Sequence, residues 1–438
     1  MGKSVQRNRY LNKLIAKKEN GLIKIISGNR RCGKSYLLFT IYYEYLLSIG
    51  IKEKQIVRLA LDDVENARYR NPLELDAYIR SKIKSSFFNR NKMHYVFLDE
   101  IQLVEEIQNP YISDTESKIG FVDVVLGLMK LKNVDLYITG SNSKMLSSDI
   151  ITTFRDRGDS LRMYPLSYSE FYEAYEGDKR NAWREFCTYG GMPLAVQKKT
   201  AEEKSLYLRD LFSGTYIKDV IERHKIMNEE SDLAEILNVI SSSIGSLTNP
   251  LNLSHSFKAV KHKIIAPETI ATYLAYFKDS FLIESATRYD IKGKKYISTP
   301  FKYYFVDVGL RNACLNFRQQ EESHIMENIL FNELKIRGFD VDVGVVEYNT
   351  KNSQGKSHRN QLEVDFVANK GNKRFYIQSA LNIDSSEKLQ QETNSLNRIN
   401  DSFKKIVVVK DNIEPWQDDS GVQFVGVEQF LLDDSFLA

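Results

Sequence analysis

The sequence predicts an α/β protein with three parts: an N-terminal parallel sheet flanked by helices, a helical middle region with a winged-helix outline, and a C-terminal α/β domain. Three observations lead there. Short apolar runs of strand type alternate with helical runs up to about residue 140, the pattern turns helical around Pro165, and helix and strand runs mix again from near His324. At 438 residues the chain exceeds one ordinary core, and boundaries near 170 and 310 divide it into 1–170, 171–310 and 311–438.

In chain order, residues 22–26 are a β-rich run ending in Ser27-Gly28, and 34–47 form a helix apolar on much of its surface. Residues 56–61, 95–98 and 134–139 are further strands, with a polar surface loop expected over 108–120. Strands separated by helices imply a parallel, doubly wound arrangement. Residues 184–226 and 231–243 are helical, with Gly190-Gly191-Met192-Pro193 as a turn within the first. Two short helices at 253–261 and 267–280, then hairpin arms at 281–285 and 295–299, follow the order of a winged helix-turn-helix; Pro267 suits a first helical position. The last part has a helix at 327–338, strands at 340–348, 362–368 and 374–378, a polar loop at 349–361 and a final buried strand at 405–410.

Composition bounds the function. Hydrophobic residues are 42% and aromatic residues 11% of the chain, as in folded proteins. The longest apolar stretch, 121–131, is broken by Asp123 and Lys130 and is too short to span a bilayer, and the N-terminus has no secretory pattern. Cys32, Cys187 and Cys314 are widely separated, which fits a reducing cytoplasm and neither a disulfide framework nor metal-ligand spacing. With 61 basic against 58 acidic side chains the net charge is only +3, so a case for nucleic acid must come from local patches.

The strongest local signal is Gly28-Asn29-Arg30-Arg31-Cys32-Gly33-Lys34-Ser35, which fits G-x-x-x-x-G-K-[ST] at every fixed position, after a strand and before a helix. The glycines let successive main-chain N–H groups turn toward phosphate oxygens, and the helix N-terminus adds a favourable field. Lys34 brings a charge to the β and γ phosphates, and the Ser35 hydroxyl is a Mg²⁺ ligand. Asp99 and Glu100 end the apolar run 95–98 and are expected to face the cradle from a neighbouring strand, Asp99 holding Mg²⁺ through water and Glu100 polarising the attacking water. A solvated strand end would show the same two acids. At the end of the 134–139 strand, Ser141 or Asn142 is placed to sense a γ-phosphate, although a simple strand-to-loop turn has the same composition. Arg155 and Arg157 lie between aspartates; a guanidinium stabilising the transferred phosphoryl group and a surface ion pair both fit their spacing.

Taken together these stretches resemble the prokaryotic AAA-family ATPases (AAA_14 type) that carry a DUF4143-type C-terminal domain. The resemblance rests on Arg9-Tyr10-Leu11, GNRRCGKS at 28–35, FLDEIQ at 97–102, TGSNS at 139–143, PLSYSEF at 165–171, YGGMP at 189–193 and YYFVDVG at 303–309. It implies ATP as the nucleotide and makes Arg157 an arginine-finger or sensor candidate. It also implies a last domain of PD-(D/E)xK nuclease type, a fold that needs two acids and a lysine to hold Mg²⁺. Here Glu363 and Asp365 match the first carboxylate and Glu327 adds one from a helix. Gln378 stands where the second carboxylate belongs and Ala380 where the lysine belongs, with Lys373 in the turn as a substitute. The resemblance therefore implies a degenerate site at Glu327, Asp365 and Gln378, without nuclease activity.

The winged-helix outline carries Lys258, Lys261, His262 and Lys263, with Arg288, Lys292, Lys294 and Lys295 on the wing. Contacts to phosphates through Lys261, Lys263, Lys292, Lys294 and Lys295 and a solvated basic face are both open, since Glu268 and Asp279 lie on the helix that would read bases. The expected function is a Mg²⁺-dependent ATPase whose nucleotide state controls C-terminal domains that bind DNA or a partner. The alternative is a nucleic-acid-binding protein using ATP as a structural ligand or slow switch. DNA, a protein partner and self-association stay open; no membrane is expected.

Overall fold

The structure, a computed structural model, describes residues 5–84, 92–113, 116–140, 157–224, 226, 230–261, 265–318, 321–351 and 357–438. Two compact units, Ser4–Tyr164 and Pro165–Ala438, divide the chain.

The first unit is built on a parallel sheet. Its strands in chain order are β1 (Ile23–Gly28), β2 (Ile56–Ala60) and β3 (His94–Asp99), then, after a two-residue hairpin of β4 (Ile107–Gln108) and β5 (Lys118–Ile119), β6 (Val134–Thr139) and β7 (Gly158–Met163). The order across the sheet is β2-β3-β6-β1-β7. Alternation along each strand fills both faces. Val96 and Leu98 of β3 join Ile23, Ile25, Leu136 and Ile138 on one face, under the helices Pro72–Lys84 and Phe121–Met129. Tyr95 and Phe97 join Ile26, Tyr137, Leu161 and Met163 on the other, under the helix Asn8–Lys17 and the helix that follows the cradle. That second helix runs Lys34–Tyr36, widens into a π-helical segment Leu37–Tyr42 and closes as Tyr43–Ser48.

Two sequence expectations change here. The loop expected over 108–120 holds an antiparallel pairing, Ile107 with Ile119. Strand β7 was not expected at all: Gly-Asp-Ser-Leu-Arg-Met offers only Leu161 and Met163 as core residues, too few to announce a strand. Lys24, fully buried in β1, is neutralised by Asp135 of β6, whose second oxygen accepts from Tyr137 Oη at 2.7 Å and Glu19 N at 2.9 Å.

The second unit begins with the helix Tyr168–Ala174, where Ser167 and Glu170 form a reciprocal N-terminal cap. Helices from Ala182–Tyr189 to Pro267–Asp279 share a core with the start of the following hairpin. That hairpin, β8 (Ile283–Asp290) and β9 (Lys295–Phe305), is longer than expected and is not a free wing. β8 pairs in parallel with β10 (Asp340–Lys351), so both arms belong to an eight-stranded sheet that runs across the expected boundary at 310. The remaining strands are β11 (Ser357–Lys370), β12 (Lys373–Ala380), β13 (Lys404–Val409), β14 (Trp416–Gln417) and β15 (Val422–Gly426), in the order β14-β15-β13-β12-β11-β10-β8-β9. The polar stretch expected as a loop over 349–361 is strand where it is described: β10 and β11 continue as a ladder to Lys351 and Ser357, with Asn360 bonded to Thr350 across it. Two more strands and the helices Ser386–Asn397 and Val427–Leu432 were also missed, so β13 is not the last strand.

Candidate functional site

The cradle follows from close packing at the end of β1. Gly28 has φ 143°, and a Cβ there would lie 2.0 Å from Met163 O of β7, so no side chain fits. Arg31 and Gly33, with φ 59° and 98°, give the loop its left-handed turns before the helix starts at Lys34. Asn29 and Cys32 are fully buried. Arg7, itself buried, donates to Cys32 O at 3.2 Å and to Tyr164 O at 2.6 Å, tying the loop to the end of β7. Tyr10 Oη accepts from Tyr164 N at 3.0 Å. Neither Arg7 nor this role for Tyr10 was singled out from the sequence; only the Arg9-Tyr10-Leu11 motif hinted at the region.

Lys34 is buried, and its ammonium donates to Gly28 O at 2.9 Å and Asn29 O at 2.7 Å. The cation is thus held inside the loop by two of the loop's own carbonyls. Ser35 and Arg31 are exposed, and Arg30 is half-buried. Asp99 is buried at the end of β3 and accepts from the Thr139 hydroxyl and, at 3.1 Å, from Glu100 N. The acidic pair was expected on a strand neighbouring β1, but β3 is not adjacent to it. β6 stands between them, with Thr139 registered against Ile26 of β1 and bonded to Asp99 of β3. A hydroxyl at the exposed helix start and a carboxylate at the neighbouring strand ends are oxygen donors of the kind Mg²⁺ prefers.

Glu100 is half-buried, has φ 53° and ψ 47°, and its carboxylate accepts from Gln102 Nε2. Asn142 lies outside the described residues, as do Ser141 and Arg155. Arg157 is exposed and far from the cradle. Ile23 N donates to its carbonyl at 2.8 Å, so it sits at the start of β7, beside the opposite end of β1 from Gly28. Five residue steps along β1 separate those ends, roughly 17 Å. The arginine-finger role in its own chain does not fit that placement.

In the second unit, sequence reasoning found the acids and missed the lysine. Lys302 of β9 is buried, with Nζ 2.9 Å from Glu327 Oε1, 2.6 Å from Glu363 Oε1 and 3.8 Å from Asp365 Oδ1. Tyr304 Oη donates to Glu327 at 2.6 Å, Ser379 N donates to Asp365 at 2.8 Å, and Gln378 Oε1 lies 3.4 Å from Asp365 N. Lys373, proposed as the substitute, is paired with Lys370 at the far end of β12. Burial opposes the charge on Lys302, but the carboxylates of Glu327, Asp365 and Glu363 outweigh it and hold the ammonium protonated. Burial, then the charge of Glu327, pushes the Asp365 carboxyl up to about 8. Among the described residues, no group of three or more His, Cys, Asp and Glu is arranged to hold a metal ion.

On the β8–β9 turn, Lys292, Lys294 and Lys295 are exposed, and Lys292 Nζ caps Glu347 O at 3.0 Å. Lys263 lies outside the described residues, as does the side chain of Lys261. No helix among the described residues is long and apolar enough to cross a membrane.

A five-stranded parallel sheet, a glycine-framed loop with a buried lysine, and an acidic pair two strands away define a P-loop domain of the AAA class. Residues 20–172 match the AAA_14 family, described as an AAA domain, and residues 180–321 match a domain of unknown function, DUF8612, rather than the DUF4143 type expected. The chain is 31% identical over 435 residues to an uncharacterized protein of Haemophilus influenzae, covering 98% of each, and it belongs to the same family. It is also 26% identical over 408 residues to the uncharacterized protein MJ1544 of Methanocaldococcus jannaschii, covering 88% of this chain and 84% of that one. Among solved structures, the Walker-type ATPase PABY2304 of Pyrococcus abyssi shares 15% identity at a TM-score of 0.49, covering 71% of this chain and 96% of that one.

Proposed function

We propose that the protein is a Mg²⁺-dependent ATPase in which Glu100 activates the attacking water. The observation that carries this reading is the joint placement of a buried Lys34 in a loop whose first glycine, Gly28, leaves no room for a Cβ and an Asp99–Glu100 pair at the end of β3. Main-chain N–H groups of Gly28 to Ser35 bind the phosphates, and Lys34 exchanges its two carbonyl partners for phosphate oxygens. Ser35 and Asp99 would hold Mg²⁺, which neutralises charge on the β and γ phosphates when bound. Thr139 fixes the Asp99 carboxylate through its hydroxyl. The test is a calorimetric titration with Mg·ATP, followed by steady-state phosphate release with and without DNA. Saturable heat and turnover are expected; a titration without heat ends the reading.

Any part played by Arg157 must come from a second copy of the chain, through a head-to-tail contact. Arg157→Ala is therefore expected to leave turnover of dilute protein unchanged, and to lower it only where activity per chain rises with concentration. Phosphate release measured across a dilution series checks this.

A second reading, control of a DNA-binding surface, is favoured by the exposed lysines of the β8–β9 turn and by Tyr296 beside them, 67% exposed. Replacing Lys292, Lys294 and Lys295 with Gln should weaken DNA binding and reduce the slope of log K against log salt by about 2 to 3. An unchanged slope in a fluorescence titration would remove that surface.

A further inference from the structure

Gln102 stands in the single 3-10 turn Ile101–Leu103 that leaves β3, two residues beyond Glu100. Its Nε2 donates to Glu100 Oε2. Its other polar atom, Oε1, is buried and accepts no hydrogen bond among the described residues. An ionised carboxylate only accepts, so the amide must present its NH₂ to Glu100 and cannot be turned round. The backbone fixes the pair as well. Glu100 holds a left-handed conformation that is uncommon away from glycine, and the turn is closed by Leu103 N on Glu100 O at 3.0 Å and Val104 N on Ile101 O at 3.1 Å. Strained backbone and an unmatched buried acceptor next to a reacting carboxylate have one economical explanation: the missing donor arrives with the reactants.

We infer that Gln102 is a positioning residue for hydrolysis, one that clamps the Glu100 carboxylate with its N–H and takes a hydrogen bond from the attacking water on Oε1. The inference rests on the ATPase reading above. In the step itself the water oxygen bonds to the γ-phosphorus and the bond from that phosphorus to the β–γ bridging oxygen breaks. The bond's electron pair leaves with ADP, and the proton lost by water passes to Glu100. Gln102 neither gains nor loses a proton; with Glu100 it holds both water hydrogens, so that an oxygen lone pair points at phosphorus.

The experiment compares parent, Glu100→Gln, Gln102→Ala and Gln102→Glu as full chains. Its readouts are nucleotide affinity by calorimetry with ADP, steady-state phosphate release and kcat against pH. Gln102→Ala should lower kcat about 10- to 100-fold while ADP affinity is kept. Gln102→Glu should keep ADP affinity and move the acidic limb of the pH profile upward, because a like charge beside Glu100 disfavours its ionised form. A purely structural glutamine would leave kcat per folded molecule of Gln102→Ala unchanged, and that result overturns the proposal. Should the parent itself release no phosphate, the ATPase reading fails. Should the parent be active, Glu100→Gln inactive and Gln102→Ala as fast as the parent, only the role of Gln102 is lost.

Discussion

Glu100→Gln is expected to bind Mg·ATP as the parent does and to release phosphate at least about a hundredfold more slowly. The substitution keeps the volume and the hydrogen-bonding length of the side chain, so the turn after β3 and its left-handed residue need not change. What is lost is an acceptor that can take a proton. The contacts of Lys34 with Gly28 and Asn29 and of Asp99 with Thr139 do not involve the Glu100 side chain and are kept, so affinity and turnover should separate cleanly. A calorimetric titration beside a phosphate-release assay measures both. If Glu100→Gln hydrolyses ATP at the parent's rate, the base is another group.

Lys302→Met should destabilise the second unit by about 3–5 kcal/mol, the usual cost of removing one partner from a buried ionic cluster. Methionine retains the apolar stem and deletes the charge that Glu327, Glu363 and Asp365 surround. The effect should also depend on pH. The Asp365 carboxyl, at about 8 in the fold, sits far above its ordinary value near 4, so between those values the folded chain holds a proton that the unfolded chain has released. Its contribution is therefore full below about pH 4 and is lost as pH rises toward 8. Removing the ammonium makes the ionised cluster worse still, so the variant's deficit in urea midpoint should be larger at pH 8 than at pH 5.5. Equal deficits at the two pH values would mean that Lys302 is not the cluster's counter-charge.

The cradle could be read from the sequence because its requirements are local. Gly28, Gly33, Lys34 and Ser35 must sit at fixed spacing between a strand and a helix, and the Asp99–Glu100 pair needed only an apolar run in front of it. What depended on pairing between distant segments stayed hidden. Arg157 was an arginine-finger or sensor candidate through the family resemblance alone, but the register of β7 against β1 sets it beside Ile23. Lys302 lies 25 residues before Glu327 and shares no motif with Glu363 or Asp365. Only the fold of β9 against the helix Glu322–Ile336 and the sheet brings its ammonium to them. The winged-helix outline was right in element order and silent about β10, whose parallel pairing with β8 makes the wing the edge of a larger sheet. The strand extensions, β10 to Lys351 and β11 from Ser357, escaped for a different reason. Their residues face solvent on both sides and are held by polar cross-strand pairs such as Asn360 with Thr350, which look the same as loop composition.

The contact of Met163 on Gly28 has a practical corollary for anyone trimming this protein. Every motif residue of the nucleotide site precedes residue 143, so a fragment stopping there would look complete on paper. It would lack the backstop against which the glycine turn is moulded, along with both carbonyl anchors, Met163 for the Cys32 thiol and Tyr164 for the Arg7 guanidinium. A minimal nucleotide-binding piece therefore has to extend through Tyr164, and shorter pieces should emerge with a slack, low-affinity loop.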